Sequence, residues 1–220
     1  MLKFQVPGSF VVSGSSGSGK TRWVRDLFKK DHDLRQSGAE GLFERPFDNL
    51  ILCYQQYQPI YDDIAAFFPK AHMSQGVQWE DIEALDGSLQ TCLLLDDMMS
   101  SLADDMKLSD LYTSGRHKLI SPFFFVQNLY VQGKAMKGVH RNVNYLLLFR
   151  TPRDARMIAT LNEQMYRRSR PNFLNDAYDQ ETKRPFNPLL IDLTTTLSDK
   201  RYQVRGDLLN TEHNTVYLPK

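Results

Sequence analysis

Short apolar runs along the chain alternate with amphipathic segments, and this alternation predicts an α/β fold with a mainly parallel sheet. The apolar runs are hydrophobic at nearly every position, as expected for strands that helices cover on both faces. The predicted strands are Phe10–Ser13, Leu50–Tyr54, Cys92–Asp96, Phe123–Gln127 and Tyr145–Phe149. The predicted helices are Thr21–Lys30, Tyr61–Phe68, Trp79–Leu85, Met98–Leu111 and Pro152–Arg168.

The remaining segments are predicted to be loops, with two further strands near the end of the chain. The predicted loops are Asp31–Pro46, Gly133–Asn144 and Arg170–Phe186, and the terminal strands are Leu189–Leu193 and Arg201–Leu209. No linker separates two domains. We therefore expect one domain over residues 1–220, with a core at about 5–168 and a C-terminal extension at about 169–220.

The loop after the first predicted strand carries the strongest chemical signal. Residues 14–21 read GSSGSGKT, which fits the phosphate-loop pattern G-x-x-x-x-G-K-[ST]. Its glycines let the backbone aim N–H groups at phosphate oxygens, and the following helix adds its N-terminal dipole. Lys20 is placed to reach the β- and γ-phosphates, and the Thr21 hydroxyl to ligate Mg²⁺. The predicted nucleotide-binding residues are Gly14, Ser15, Ser16, Gly17, Ser18, Gly19, Lys20 and Thr21.

Two carboxylates end the third predicted strand, which reads TCLLLDD at residues 91–97. A parallel strand delivers its C-terminal end to the same crevice as the phosphate loop. We expect Asp96 to hold Mg²⁺ through its water shell, and Asp97 to accept a proton from an attacking water. The alternative is structural, because aspartate also favours the N-cap of a helix such as the one predicted from Met98.

The next predicted strand ends in the polar pair Gln127 and Asn128. The Gln127 amide is placed to touch the γ-phosphate or to orient the water. The alternative is that Gln127 or Asn128 only satisfies loop backbone groups. The sequence has no N-K-x-D run of the kind that a guanine-specific GTPase uses, so ATP is the expected nucleotide.

Two basic clusters flank this strand, SGRHK at residues 114–118 and GKAMKGVHR at residues 133–141, and we expect both near the phosphate-loop edge. Such clusters are most often solvated surface. Their lysines also suit contact with a nucleic-acid backbone without sequence readout, and an arginine could reach a neighbouring subunit's γ-phosphate. Arg116 is the first choice for this arginine finger, and Arg141 is the second.

Composition adds few constraints. The formal net charge is +1, so any nucleic-acid contact must depend on local patches. Cys53 and Cys92 lie in apolar runs, which predicts buried reduced thiols rather than a disulfide framework or a zinc site. The N-terminus lacks the apolar region of a signal peptide, and no apolar run approaches the roughly 18 residues of a membrane span. We therefore expect a soluble intracellular protein with no membrane partner.

Taken together, these motifs resemble the genome-packaging ATPases of the FtsK/HerA superfamily. The branch that they resemble most is the poxvirus-type packaging ATPases, which large DNA viruses share with virus-like transposons of the Polinton kind. The resemblance runs from about Val11 to Leu193 and is carried by GSSGSGKT, LLLDD, FFFVQNLY, YLLLFRTPRDARMIATLNEQMY and PLLIDL. The more specific signals are VQN at the end of a strand and YLLLFRTPRD before a helix that ends in QMY.

The resemblance implies a three-layer P-loop NTPase of the additional-strand (ASCE, RecA-like) class. It implies that the protein hydrolyses ATP with Mg²⁺ and moves double-stranded DNA into a preformed capsid. It further implies a homo-oligomeric ring, a pentamer or hexamer, with capsid proteins as partners, at the virus assembly site in the host cell or with the virion. Asp97 stands where many relatives have glutamate. The candidate catalytic residues are Lys20, Asp97, Gln127 and Arg116, and the candidate metal ligands are Thr21 and Asp96.

Two other functions are compatible with a phosphate loop. A nucleotide or small-molecule kinase would use an arginine-rich lid, for which the candidates are Arg167, Arg168 and Arg170. A nucleotide-dependent interaction protein would bind ATP without turnover, and the intact lysine and acidic pair count against it. Hydrolysis that rises with added double-stranded DNA would distinguish the motor from both alternatives.

Overall fold

The structure, a computed structural model, describes residues 3–151, 155–166, 171–194, 199–210 and 212–219. Its strands are β1 (Phe10–Ser13), β2 (Asn49–Tyr54), β3 (Lys70–Gln75), β4 (Thr91–Asp96), β5 (Ile120–Val126), β6 (Tyr145–Leu148), β7 (Leu189–Asp192), β8 (Val204–Gly206) and β9 (Thr215–Val216). Its helices are α1 (Lys20–Gln36), α2 (Ile60–Ala65), α3 (Trp79–Glu83), α4 (Met99–Leu102), α5 (Met106–Ser114), α6 (Lys134–Asn142), α7 (Ala155–Tyr166) and α8 (Phe173–Thr182). Short 3-10 turns cover Gly115–Lys118 and Lys200–Tyr202.

The strands of the described residues form one sheet in the order β3-β2-β4-β5-β1-β6-β7-β8-β9. The strands from β3 to β6 in this order are parallel, and β7, β8 and β9 continue the sheet in antiparallel pairings. One strand, β5, separates β1, which leads into the phosphate loop, from β4, which ends in the acidic pair. The predicted fold class, a mainly parallel P-loop NTPase with an additional strand, is confirmed.

Helices cover both faces of the sheet and give the fold three layers. Along β1, Val11 belongs to the hydrophobic core on one face, while Phe10 and Val12 belong to the core on the other. Leu27 of α1 packs in the second core, and Met136 of α6 packs in the first. Because both faces are buried, the strands read as continuous apolar runs rather than as alternating ones.

The five predicted core strands are confirmed as β1, β2, β4, β5 and β6. The hydrophobic pattern missed β3, whose residues KAHMSQ are exposed or half-buried. Among the described strands it lies at the edge of the sheet and pairs only with β2, so its sequence need not be apolar. The predicted terminal strand Leu189–Leu193 is confirmed as β7, and Arg201–Leu209 contains β8.

Three segments predicted as loops contain helices. Helix α1 continues to Gln36, α6 occupies most of residues 133–144, and α8 lies within residues 170–186. The charged end of α1 is ordered by the buried Asp31, whose carboxylate accepts hydrogen bonds from Arg35 Nε at 2.8 Å and from the N–H of Phe43 at 3.0 Å. The loop predictions are wrong here because short amphipathic helices with many polar residues resemble loops in composition.

Other predicted helices differ mainly at their ends. The helix predicted over Met98–Leu111 is divided into α4 and α5, and Asp105 caps α5 by accepting a hydrogen bond from the N–H of Lys107 at 3.0 Å. The helix predicted over Pro152–Arg168 is found as α7, and both of its predicted ends lie outside the described residues. The extent of the domain stays a prediction.

The composition also predicted the state of the two cysteines. Cys53 and Cys92 are buried and free, as predicted. In the part of the chain that the structure describes, no helix is both long enough and apolar enough to cross a membrane.

Candidate functional site

The phosphate loop lies between β1 and α1, at the edge where the parallel strands end. Gly17 and Gly19 have φ angles of +75° and +92°, in the left-handed region that glycine adopts without a steric cost. Lys20 donates from Nζ to the carbonyl oxygens of Gly14 at 2.6 Å and Ser15 at 3.0 Å, so its ammonium group lies over the loop. Burial lowers the pKa of Lys20, and two nearby carboxylates oppose this shift.

Asp96 is a buried carboxylate at the end of β4. Its Oδ2 accepts hydrogen bonds from the Thr21 hydroxyl at 2.8 Å and from the Tyr61 hydroxyl at 3.0 Å. Burial raises the pKa of Asp96, and the two hydrogen bonds lower it. The hydroxyl and carboxylate side chains predicted to hold the metal therefore meet at one point beside the phosphate loop.

These two oxygen donors fit Mg²⁺, which takes hard oxygen ligands and usually keeps several waters besides one or two carboxylates. Across the described residues, no group of three or more His, Cys, Asp or Glu side chains is arranged to hold a metal. A magnesium ion here would therefore depend on Thr21, Asp96, water and phosphate oxygens, as in other sites that bind the metal together with its nucleotide.

Asp97 and Gln127 complete a cavity of about 330 Å³ in front of the phosphate loop. Both side chains are exposed, one after β4 and the other after β5. The cavity is lined by Ser16, Gly17, Gly19, Lys20, Thr21, Arg22, Gln58, Ile60, Asp96, Asp97, Met99, Phe125, Val126 and Gln127. The cavity thus brings together the predicted site residues, which are Lys20, Thr21, Asp96, Asp97 and Gln127.

The structural roles considered as alternatives, capping a helix and satisfying loop backbone groups, belong to residues next to the site. No side chain caps α4, and Asp97 has a φ of +57°, a left-handed conformation that aspartate adopts more readily than most residues. Asn128 accepts a hydrogen bond from the N–H of Tyr130 at 2.8 Å and so satisfies the loop backbone, while Gln127 lines the cavity. The acidic cap in this region is Asp105 of α5.

Tyr61 on α2 is a site residue that the sequence reasoning missed. Its side chain is fully buried, and it stacks on Tyr54 with ring centres 5.3 Å apart. Burial raises the pKa of the Tyr61 hydroxyl, and Asp96 raises it further, so the hydroxyl remains a donor at neutral pH. Nothing in the spacing along the chain links it to Asp96, because the two residues come from different elements.

Arg116 lies at the end of the sheet where the parallel strands begin, and the phosphate loop lies at the end where they finish. It belongs to the turn before β5, whereas Gln127 follows the other end of that strand, about 23 Å away for seven residues of strand. Arg141, near the end of α6, lines the same cavity as Arg116. The expected position of these two arginines near the phosphate-loop edge is therefore wrong. A finger role of Arg116 toward a neighbouring subunit stays a prediction.

The fold and the loop together define the structural class of P-loop NTPases. Among solved structures, the chain is similar to the genome packaging NTPase B204 from Sulfolobus turreted icosahedral virus 2, which was solved in complex with ATP-γS. The TM-score is 0.52 with 14% sequence identity, over 96% of this chain and 97% of that chain. At this identity the likeness is one of fold. No family model matches the chain, and no curated protein matches it.

Proposed function

We propose that this protein is an ATP-hydrolysing motor that moves double-stranded DNA into a preformed viral capsid. The observation that carries the proposal is the meeting of Lys20, Thr21, Asp96, Asp97 and Gln127 in one cavity at the phosphate loop. The similarity of fold to a viral genome packaging NTPase, which was solved with an ATP analogue, supports ATP as the nucleotide and packaging as the task.

The residues of the cavity divide the chemistry of hydrolysis between them. The backbone N–H groups of the phosphate loop and the ammonium group of Lys20 bind the phosphates and neutralise their charge. Thr21 and Asp96 would hold Mg²⁺, which would supply further neutralisation of the phosphate oxygens. Gln127 orients the attacking water, and Asp97 takes a proton from it.

The loop after Gln127 supports a coupling of hydrolysis to DNA. Residues 128–133 connect this glutamine to α6, where Lys134 and Lys137 line a cavity with the exposed Tyr130. Lysines bind nucleic-acid phosphates without reading the sequence. We infer that release of the γ-phosphate changes the position of Gln127, and that this loop carries the change to lysines that hold DNA.

The proposed assembly is a homo-oligomeric ring, a pentamer or hexamer, that works with capsid proteins at the virus assembly site or with the virion. Arg116 lies too far from its own phosphate loop to reach it, so any role in hydrolysis must be toward a neighbour. Mixing Arg116→Ala subunits with Lys20→Ala subunits tests this role, because complementary defects should restore part of the activity. Mixed rings that stay as inactive as either parent would remove Arg116 from the finger role.

The kinase alternative depends on Arg167, Arg168 and Arg170, which lie outside the described residues. The deciding experiment supplies labelled ATP and Mg²⁺ to the purified protein, with and without a nucleoside acceptor, and follows the label. We expect free phosphate from the wild-type protein, none from Lys20→Ala, and no transfer to the nucleoside. Label transferred to the nucleoside would contradict the proposed function.

A further inference from the structure

A nucleotide bound to the phosphate loop must place its base on the side away from the acidic pair. Asp96 and Gln127 mark the γ-phosphate end of the cavity, and they belong to the β4 and β5 side of β1. A triphosphate that runs along the loop from that end directs its ribose and base toward β6 and β7, on the other side of β1. This placement rests on the proposed binding of a nucleotide.

Phe186 lies on that side, in the turn between α8 and β7. Its side chain is 49% exposed, and its φ of +63° is unusual for a residue other than glycine. The ring lies against the phosphate loop, since a Cβ added to Gly19 would clash with the Cδ1 atom of Phe186. The guanidinium carbon of Arg22, in the first turn of α1, lies 5.6 Å from the ring centroid. A large apolar ring is thus held half in solvent beside the loop.

The turn that carries this ring is anchored by a buried carboxylate. Glu181 of α8 is fully buried, and it accepts hydrogen bonds from the side-chain amide of Asn187, from the N–H of Asp207 at 2.9 Å and from the hydroxyl of Tyr217 at 2.6 Å. Asn187 directly follows Phe186 in the chain. Because the turn is already held, little ordering is required of the ring when a ligand binds.

We propose that Phe186, with Arg22 against it, is the stacking platform for the base of the nucleotide, and that it favours a purine. An exposed aromatic ring stacks on the face of any base, and an adjacent guanidinium adds a cation–π contribution. A purine offers a larger ring surface than a pyrimidine. The platform therefore favours purine triphosphates over pyrimidine triphosphates, and stacking by itself does not distinguish adenine from guanine.

The test compares ATP, UTP and inorganic tripolyphosphate, each with Mg²⁺, as ligands of the full chain. Phe186→Ala should weaken ATP binding by about 5- to 100-fold, UTP binding by less, and tripolyphosphate binding not at all. Phe186→Trp should retain ATP binding. The matched control is Tyr202→Ala, because Tyr202 is 48% exposed and has the Arg205 guanidinium 5.7 Å from its ring centroid. It lies near Asp192, at the end of β7 away from Phe186, so we expect no effect.

The outcomes separate this assignment from the proposed function. Equal loss of ATP and tripolyphosphate binding in Phe186→Ala would mean that the ring only supports the loop. Unchanged ATP binding would mean that the base lies elsewhere. Either result overturns the platform while leaving nucleotide binding intact. A wild-type protein that binds neither ATP nor tripolyphosphate would contradict the proposed function itself.

Discussion

Replacing Tyr61 with phenylalanine removes one hydrogen bond from the carboxylate of Asp96 and leaves the aromatic ring in place. The Tyr61 hydroxyl donates to Asp96 Oδ2 at 3.0 Å, and Asp96 is only 5% exposed, so water does not readily replace the donor. The pKa of Asp96 is already raised by burial, and the hydrogen bonds from Thr21 and Tyr61 hold it down. Tyr61→Phe should therefore raise this pKa further.

The expected size of the shift follows from the charge on the acceptor. A hydrogen bond to a charged group contributes about 1.5–3 kcal/mol, and one pKa unit corresponds to about 1.4 kcal/mol. Loss of the Tyr61 hydroxyl should thus destabilise the ionised carboxylate of Asp96 by about 1.5–3 kcal/mol relative to the protonated one, and so raise the pKa of Asp96. Metal binding needs the ionised carboxylate, and activity is lost as the pH falls through this pKa. The acid limb of the pH profile should therefore move to higher pH.

The measurement is the pH dependence of kcat/KM for hydrolysis of ATP with Mg²⁺, with urea unfolding to check that the variant folds. Tyr54→Phe is the matched control, because Tyr54 stacks on Tyr61 but does not donate to Asp96 in the described structure. The control should keep the wild-type acid limb. A Tyr61→Phe variant whose rate falls equally at all pH values, with the limb in place, would refute the reasoning.

Three further experiments test the proposed base, the phosphate-loop contact and the DNA contact. Asp97→Asn should keep ATP binding in a titration but stop phosphate release, and unchanged turnover would remove Asp97 from the base role. Gly19→Ala and Gly38→Ala each place a Cβ at a positive φ, which costs about 1–2 kcal/mol. Of the two added Cβ atoms, only the one at Gly19 meets a neighbouring ring. Gly19→Ala should therefore lower the free energy of unfolding in urea by more than Gly38→Ala does, and equal decreases would contradict that contact. Lys134→Ala combined with Lys137→Ala should lower DNA-stimulated hydrolysis and spare basal hydrolysis, and a variant that DNA stimulates as much as wild type would contradict the DNA contact.

The phosphate-loop edge could be predicted from the sequence because its residues follow strands that are easily recognised. Lys20 and Thr21 share one motif with the glycines, and Asp96 directly follows a buried apolar run. Parallel strands bring such ends together, so their linear order was sufficient to place them. The same rule could have placed Arg116 correctly, since a residue that precedes a parallel strand lies at the opposite edge of the sheet.

Other features depend on contacts that the linear pattern does not contain. Tyr61 reaches Asp96 only because the packing of α2 on the sheet brings the two residues together, whereas the sequence marked Tyr61 only as the first residue of a predicted helix. Phe186 lies beside Gly19 only because β7 returns along β6 and brings its preceding turn to the phosphate-loop edge. The edge strand β3 has no apolar run because, within the described part of the chain, one of its sides has no partner strand.

The central claim is that ATP hydrolysis at this cavity moves DNA. It is tested most directly by measuring hydrolysis by the purified protein with and without linear double-stranded DNA, together with its mass in solution with ATP bound. We predict hydrolysis that rises with added DNA in an assembly of ring size, and no activity in Lys20→Ala. A monomer whose hydrolysis does not respond to DNA would contradict the account.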